Sequence, residues 1–101
     1  MSTKVIEAVT FNLVQGMGND AFLESAKPTF AFLDQCTGFI RRQLSQNEDG
    51  SWLDYVEWRD MASAMSAAEN FPKEPSCLPF MQAIQADSAT MKHYTLKESK
   101  A

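Results

Sequence analysis

The sequence predicts an α+β fold in which a four-stranded antiparallel sheet carries helices on one face. Two β-prone segments, residues 38–46 and 51–60, flank a reverse turn and predict a hairpin. Strand-like segments also lie near each end of the chain, and segments with apolar residues at helical spacing separate them from the hairpin. The predicted order is strand, helix, strand, strand, helix pair, strand.

The composition fits a single domain that spans residues 1–101 and has enough apolar residues, 45%, to fill a core. Asp and Glu number 13 against 9 Lys and Arg, and strand alternation sends the one adjacent basic pair, Arg41 and Arg42, to opposite faces. We therefore expect neither nucleic acid nor membrane as a partner. The first residues show no leader pattern, and no segment has the ~20 apolar residues of a membrane span, so we expect a cytoplasmic protein.

The first half of the chain begins with an interior strand over residues 4–14, where apolar and polar positions alternate imperfectly. After the break at residues 15–18, Asn19 or Asp20 is expected to cap a helix. Pro28 removes a backbone hydrogen bond from this helix and predicts a kink or a split near residues 26–29. The apolar residues of the helix are Phe22, Leu23, Ala26, Phe30 and Leu33.

The central hairpin turns at residues 47–50, where Gly50 can adopt positive φ. If Gln46 pairs with Ser51, both faces of the hairpin carry large apolar groups and need cover. One face then holds the pairs Phe39/Trp58, Arg41/Val56 and Gln43/Asp54, and the other holds Ile40/Glu57, Arg42/Tyr55 and Leu44/Leu53.

The second half is predicted to contain two helices and a last strand. Asp60 is expected to cap the first helix, whose buried stripe consists of Met61, Ala64, Met65, Ala68 and Phe71. After a break at residues 71–75, Ser76 is expected to cap a helix that carries Cys77, Phe80, Met81 and Ile84. Residues 90–96 form the final strand. Right-handed crossovers then give a ferredoxin-like sheet with the first and third strands in the centre. Its uncovered face predicts a homodimer that packs sheet against sheet.

Three segments carry a family resemblance: GFIRRQL, EDGSWLDYVEW and CLPFMQAIQADSATMKHYTL. With them, roughly residues 5–96 resemble the dimeric α+β-barrel superfamily, in the group named after antibiotic-biosynthesis monooxygenases. This resemblance implies several activities, because the superfamily includes cofactor-free quinone-forming oxygenases, haem-degrading enzymes and isomerases. The haem-degrading branch has a histidine iron ligand on a helix in the second half of the chain, where this sequence has none. We therefore expect no cofactor.

His93 is the first catalytic candidate, because its ordinary pKa suits proton transfer at neutral pH. In the predicted sheet it meets Glu7 or Thr10, and a carboxylate partner would fix its tautomer. The structural alternative is a half-buried histidine that bonds to a backbone or hydroxyl group or lies at the dimer seam.

Asp54 is the second catalytic candidate, because strand alternation places it between Trp52 and Trp58 on one face. Two indoles and an acid could bind a flat aromatic molecule, with Asp54 as proton acceptor if desolvation raises its pKa. In the alternative, Trp58 belongs to the core and Asp54 is neutralised by Arg41 or bonded to Gln43. Trp52 is expected at a pocket mouth or at the dimer rim.

Two functional hypotheses follow. The first is a cofactor-free oxygenase or isomerase that acts on a planar aromatic or polyketide-like molecule in a pocket between helices and sheet. Its floor would consist of Phe11, Val56 and Trp58, and its roof of Phe22, Phe30 and Phe80, with Trp52 as a further contact. The second is a non-catalytic dimer that binds a small hydrophobic ligand or serves a structural role. One histidine and scattered carboxylates predict no metal site, and we expect Cys36 and Cys77 to be reduced thiols.

Overall fold

The computed structural model describes residues 3–101 and has the predicted four-stranded antiparallel sheet with helices over one face. The spatial order is β2-β3-β1-β4, so the first and third strands are central, as predicted. Short 3₁₀ turns at residues 71–73, 75–77 and 86–88 flank the last helix. The elements are β1 (Val5–Phe11), α1 (Asn19–Asp34), β2 (Phe39–Gln46), β3 (Trp52–Trp58), α2 (Met61–Asn70), α3 (Leu78–Gln82) and β4 (Thr90–Thr95).

The hairpin turn forms where the sequence predicts it. Gly50 has φ +93°, and its N–H donates to the Asn47 carbonyl at 2.9 Å. The predicted pairing of Phe39 with Trp58 is also present, but a β-bulge between Phe39 and Arg41 shifts the rest of β2 by one residue. Gln46 consequently lies opposite Trp52 instead of Ser51.

The bulge exchanges the two faces of β2. Because it adds one residue to one strand, it reverses the alternation beyond it. Arg42 and Leu44 now lie opposite Val56 and Asp54 on the helix-covered face, and Arg41 faces the other side with Glu57. The predicted placement of Arg42 and Leu44 with Tyr55 and Leu53 was therefore wrong.

Helix α1 corrects two expectations. It runs unbroken through Pro28, so the predicted split is absent, because its buried residues Phe22, Ala26, Thr29 and Leu33 hold both halves against the sheet. The N-cap is Gly18, which within the described residues provides no side-chain hydrogen bond to cap the helix. Asn19 and Asp20 are instead the first helical residues.

Helix α2 begins at the predicted cap, where Asp60 Oδ1 accepts the Ser63 N–H at 2.8 Å. Its buried residues are the small ones, Ser63, Ala64 and Ala67, because Ser63 lies directly against Gly38. Of the predicted stripe, Ala64 is buried and Ala68 and Phe71 are partly buried, but Met61 and Met65 are exposed, so those two positions were wrong. Ser76 also does not cap the last helix. Glu74 caps a 3₁₀ turn there, and α3 starts at Leu78.

The core consists of two clusters on the covered face of the sheet. One contains Phe11, Phe22, Ala26, Trp52, Phe80 and Ala83. The other contains Leu33, Val56, Trp58, Ala64 and Ala67. On the opposite face, strand alternation places Ile6, Ala8, Leu53, Tyr55 and Tyr94, with Arg41 and Glu57 beside them. No helix within residues 3–101 covers that face, which we call the open face.

Candidate functional site

A cavity of about 260 Å³ lies between the sheet and the helices, where the two core clusters meet. The predicted floor residues Phe11, Val56 and Trp58 all line it. Of the predicted roof only Phe80 does. The other helix-side lining residues come from α1, α2, the turn after α2 and the α3 region: Phe32, Leu33, Ala67, Ala68, Phe71, Pro72, Met81 and Ile84. The cavity is thus mainly apolar, with polar groups on the sheet side.

Three predicted contact residues do not line the cavity. Phe22 is buried core, 4.9 Å from the Trp52 ring and 5.7 Å from the Phe11 ring between centroids. Trp52 is buried with it, so its predicted place at a pocket mouth or dimer rim was wrong. Phe30 is partly exposed and covers the Arg42 guanidinium from outside, at 4.5 Å. Phe22 of α1 therefore packs in the core, and Phe30 of the same helix covers the Arg42 cation.

Arg42 and Asp54 form a buried ion pair at the cavity wall. Arg42 Nε and Nη2 donate to the two Asp54 carboxylate oxygens at 2.9 and 2.8 Å, and Nη1 donates to Thr29 Oγ1 at 2.6 Å. The side chains are only 1% and 13% exposed. The pair exists because the bulge turns Arg42 inward, whereas the sequence pattern had indicated Arg41 or Gln43 as the partner of Asp54.

The Arg42 guanidinium is held rigidly but is not fully used. It lies between the rings of Phe30 and Phe80, at 4.5 and 5.0 Å from their centroids. A guanidinium has five N–H groups, and the three bonds to Asp54 and Thr29 leave one on each terminal nitrogen. Arg42 can therefore donate to an oxygen atom of a molecule in the cavity.

Glu7 is a second buried acid at the cavity, and it lies on β1 opposite Val56. Trp58 Nε1 donates to Glu7 Oε1 at 3.1 Å, and His93 Nε2 lies 3.8 Å from the same oxygen. Burial raises the pKa of Glu7, and the charge of His93 and the Trp58 hydrogen bond oppose that rise. Such an acid in a mainly apolar cavity is typical of a group that exchanges protons.

His93 pairs with Glu7 across β4 and β1, which is one of the two predicted pairings. It does not line the cavity, whereas Glu7 does. Its Nε2 is buried and has no hydrogen-bond partner within residues 3–101. Sequence reasoning had treated Glu7 only as a partner of His93. The signal for its place was available, because Glu7 lies between Val5 and Val9 on the apolar side of β1.

Solved structures share this fold. SnoaB, a cofactor-independent oxygenase from Streptomyces nogalater, is 22% identical, with a TM-score of 0.67 over 99% of this chain and 97% of that one. A candidate antibiotic biosynthesis monooxygenase from Nitrosomonas europaea is 16% identical, with a TM-score of 0.68 over 94% and 91%. A dimeric ferredoxin-like protein from an uncultured marine organism is 11% identical, with a TM-score of 0.72 over 99% and 93%. This chain has the ferredoxin-like α+β fold.

The likeness of this chain to those structures is one of fold, which confirms the predicted resemblance at that level. At identities of 22% and below, these structures do not indicate which reaction, if any, this chain catalyses. No protein-family profile matches the sequence, and no curated protein matches it. The chemistry must therefore be argued from the cavity.

A larger open groove of about 610 Å³ lies on the outer side of the helical layer, between the end of α1 and α2. Its one thiol, Cys36, has a pKa raised by burial, which favours the unreactive protonated form. Cys36 and Cys77 are both free. The part of the chain from residue 3 onward holds no group of three or more metal-ligating side chains and no helix long and apolar enough to cross a membrane. The cavity remains the better site.

Proposed function

We propose that the protein is a small homodimeric enzyme that oxygenates a planar aromatic or polyketide-like molecule without a cofactor. The observation that carries this proposal is the mainly apolar cavity whose sheet side holds the buried Arg42–Asp54 ion pair and the buried acid Glu7, with His93 Nε2 at 3.8 Å behind that acid. The shared fold with a cofactor-independent oxygenase supports it. An apolar site with a few fixed polar groups suits a flat, ionisable organic molecule.

The aromatic rings bind the substrate and the charged groups act on it. Phe11, Phe80 and Trp58 provide flat apolar surfaces for its rings. The two remaining Arg42 N–H groups bind a hydroxyl or keto oxygen and stabilise the negative charge that develops there. Asp54 was a predicted base, but both of its oxygens accept hydrogen bonds from Arg42, so we assign it to holding the guanidinium. The group that accepts the proton is then Glu7 or His93.

Dioxygen is the oxidant in this proposal. A methylene carbon activated by neighbouring rings loses a proton to the protein, and the carbanion transfers one electron to dioxygen. The two radicals combine to form a C–O bond. Protonation of the peroxide and loss of water then leave a carbonyl, so that one oxygen atom stays in the product and the other leaves as water. The protein contributes orientation and exclusion of bulk water.

Oxygen uptake with hydroxylated polycyclic aromatics tests the proposal, and 1,8-dihydroxyanthrone is a suitable first substrate. We expect uptake above the spontaneous rate, with one dioxygen consumed per quinone formed. Ala68→Phe places a ring in the cavity and should abolish the enzymatic component, whereas Met65→Phe, on the exposed side of the same helix, should keep it. Absence of uptake across a broad panel, or full uptake by Ala68→Phe, would contradict the proposal.

Ligand binding without catalysis is the second candidate, and the predominance of apolar side chains around the cavity favours it. Native mass spectrometry of the purified protein distinguishes the two. A co-purifying hydrophobic molecule that is displaced but never converted, together with no oxygen uptake, would establish the binding function.

We infer that the open face is the homodimer interface. Strand alternation places Leu53 and Tyr55, which are both partly exposed, and Tyr94, which is 51% exposed, on this face, and such an apolar patch is typical of a contact surface. A neighbour with the same fold is a dimeric ferredoxin-like protein, which supports this inference. An isologous contact of two such sheets would remove both surfaces from water.

A further inference from the structure

We propose that Glu7 is the group that accepts a proton from the molecule in the cavity and that His93 is the positioning residue behind it. This assignment reverses the order expected from the sequence, in which His93 was the catalytic group and Glu7 its partner. It rests on the proposed function, because it names the base of that same site.

The contacts of Glu7 leave one oxygen available to a ligand. The Trp58 indole N–H at 3.1 Å and His93 Nε2 at 3.8 Å both approach Oε1, and neither contact engages Oε2. The side chain is only 13% exposed and lines the cavity. A carboxylate that is held through one oxygen at the wall of a mainly apolar cavity, with the other oxygen outside those contacts, is suited to act as a general base.

His93 has the complementary position. It lies on the edge strand β4, directly opposite Glu7, and it does not line the cavity. Its buried Nε2 has no hydrogen-bond partner among the described residues, and the nearest carboxylate oxygen is Glu7 Oε1. His93 Nε2 is 3.8 Å from Glu7 Oε1, just beyond hydrogen-bond distance, so that a protonated His93 can hold Glu7 in place and stabilise its negative charge.

The charges around Glu7 come from all three other strands of the sheet. His93 approaches from β4, Asp54 from β3 and Arg42 from β2. Burial raises the pKa of Glu7 most strongly. His93, the Trp58 hydrogen bond and Arg42 lower it, whereas Asp54 raises it. The ligand class follows from this arrangement: a ring molecule that presents an acidic O–H or C–H to Glu7 and an acceptor oxygen to Arg42.

Carbon-13 NMR of the side-chain carboxyl groups tests this assignment without turnover. Loss of one signal in Glu7→Gln identifies Glu7. We expect the Glu7 signal to titrate at higher pH than the signals of the exposed glutamates. In His93→Gln its titration should move to still higher pH. The signal should also shift when 2-naphthol is added but not when naphthalene is added. Titration with the exposed glutamates, or no response to His93→Gln and 2-naphthol, would overturn the assignment.

Oxygen uptake separates this inference from the proposed function. Glu7→Gln should lower kcat by about 10²- to 10⁴-fold, the usual contribution of a general base, and leave KM nearly unchanged. Glu24→Gln, at an exposed position on α1, is the matched control and should behave like the wild type. Full activity of Glu7→Gln refutes the inference and leaves the proposed function intact. An inactive wild type whose Glu7 shows the expected titration refutes only the proposed function.

Discussion

Glu7 and Arg42 are the residues on which the account of the site depends, because each places a charge where the surrounding side chains are apolar. A buried charge is costly unless it is paired. Arg42 has both oxygens of Asp54 and a hydroxyl, so its charge is fully compensated. Glu7 has one indole N–H and a more distant histidine, so its compensation is incomplete. A buried charge at a cavity wall that is only partly paired is more typical of a functional group than of a structural one.

Glu7 should make the stability of the protein depend on pH. Its pKa in the folded state is raised above the ordinary value of 4.5, so the folded state binds more protons than the unfolded state between those two pKa values. The free energy of unfolding therefore falls as pH rises through this window and stays lower above it. Glu7→Gln keeps a hydrogen-bond acceptor for Trp58 but removes the charge, so it should remove this fall.

Urea unfolding of the wild type and Glu7→Gln across the acidic to neutral range measures this effect. The variant should gain stability relative to the wild type at pH 7 and gain little at pH 4. A gain that does not depend on pH would show that the carboxylate of Glu7 carries no burial penalty.

Among the secondary-structure elements, strand β2 and the loop before it determine which side chains reach the cavity. The bulge after Phe39 turns Arg42 toward the helices. Gly38 immediately before it has φ +83°, accepts the Arg59 N–H at 2.7 Å and lies against Ser63 of α2. Gly38 thus fixes both the start of β2 and the position at which α2 packs.

Substitution of glycines separates conformational strain from close packing. Gly50→Ala meets nothing within 4 Å and should cost only the positive-φ penalty, about 1 kcal/mol. Gly38→Ala has a similar φ, but its methyl group would overlap the Ser63 side chain, so it should cost at least about 2 kcal/mol. Chemical denaturation of both variants checks the difference. Equal losses would mean that α2 does not pack closely on Gly38.

Periodicity and turn chemistry predicted the element order and the central place of β1 and β3, because the hairpin turn, the Asp60 cap and the helical spacing are local signals. They also predicted that Glu7 and His93 are neighbours. They could not predict the bulge. Apolar and polar residues already mix on both faces of β2, so one added residue does not visibly change their alternation. That single residue decided which arginine pairs with Asp54. The exposed methionines of α2 were missed for a related reason, because the close approach to Gly38 is a tertiary constraint.

The whole molecule presents one face covered by helices and one open face, and the central claim of this account is that a second copy covers the open face. Leu53 and Tyr55 are partly exposed on the central strand β3 of that face, where an isologous contact would bury them. Glu57 and Arg41, 3.8 Å apart beside them, would lie within or around the interface.

Sedimentation velocity at micromolar concentration tests this claim most directly, with Leu53→Lys as a variant that places a charge on the open face and Leu23→Lys, on exposed α1, as its control. We predict that the wild type and Leu23→Lys sediment at twice the chain mass of 11.3 kDa and that Leu53→Lys shifts toward a folded monomer. A wild type that sediments as a folded 11.3 kDa monomer would contradict the account.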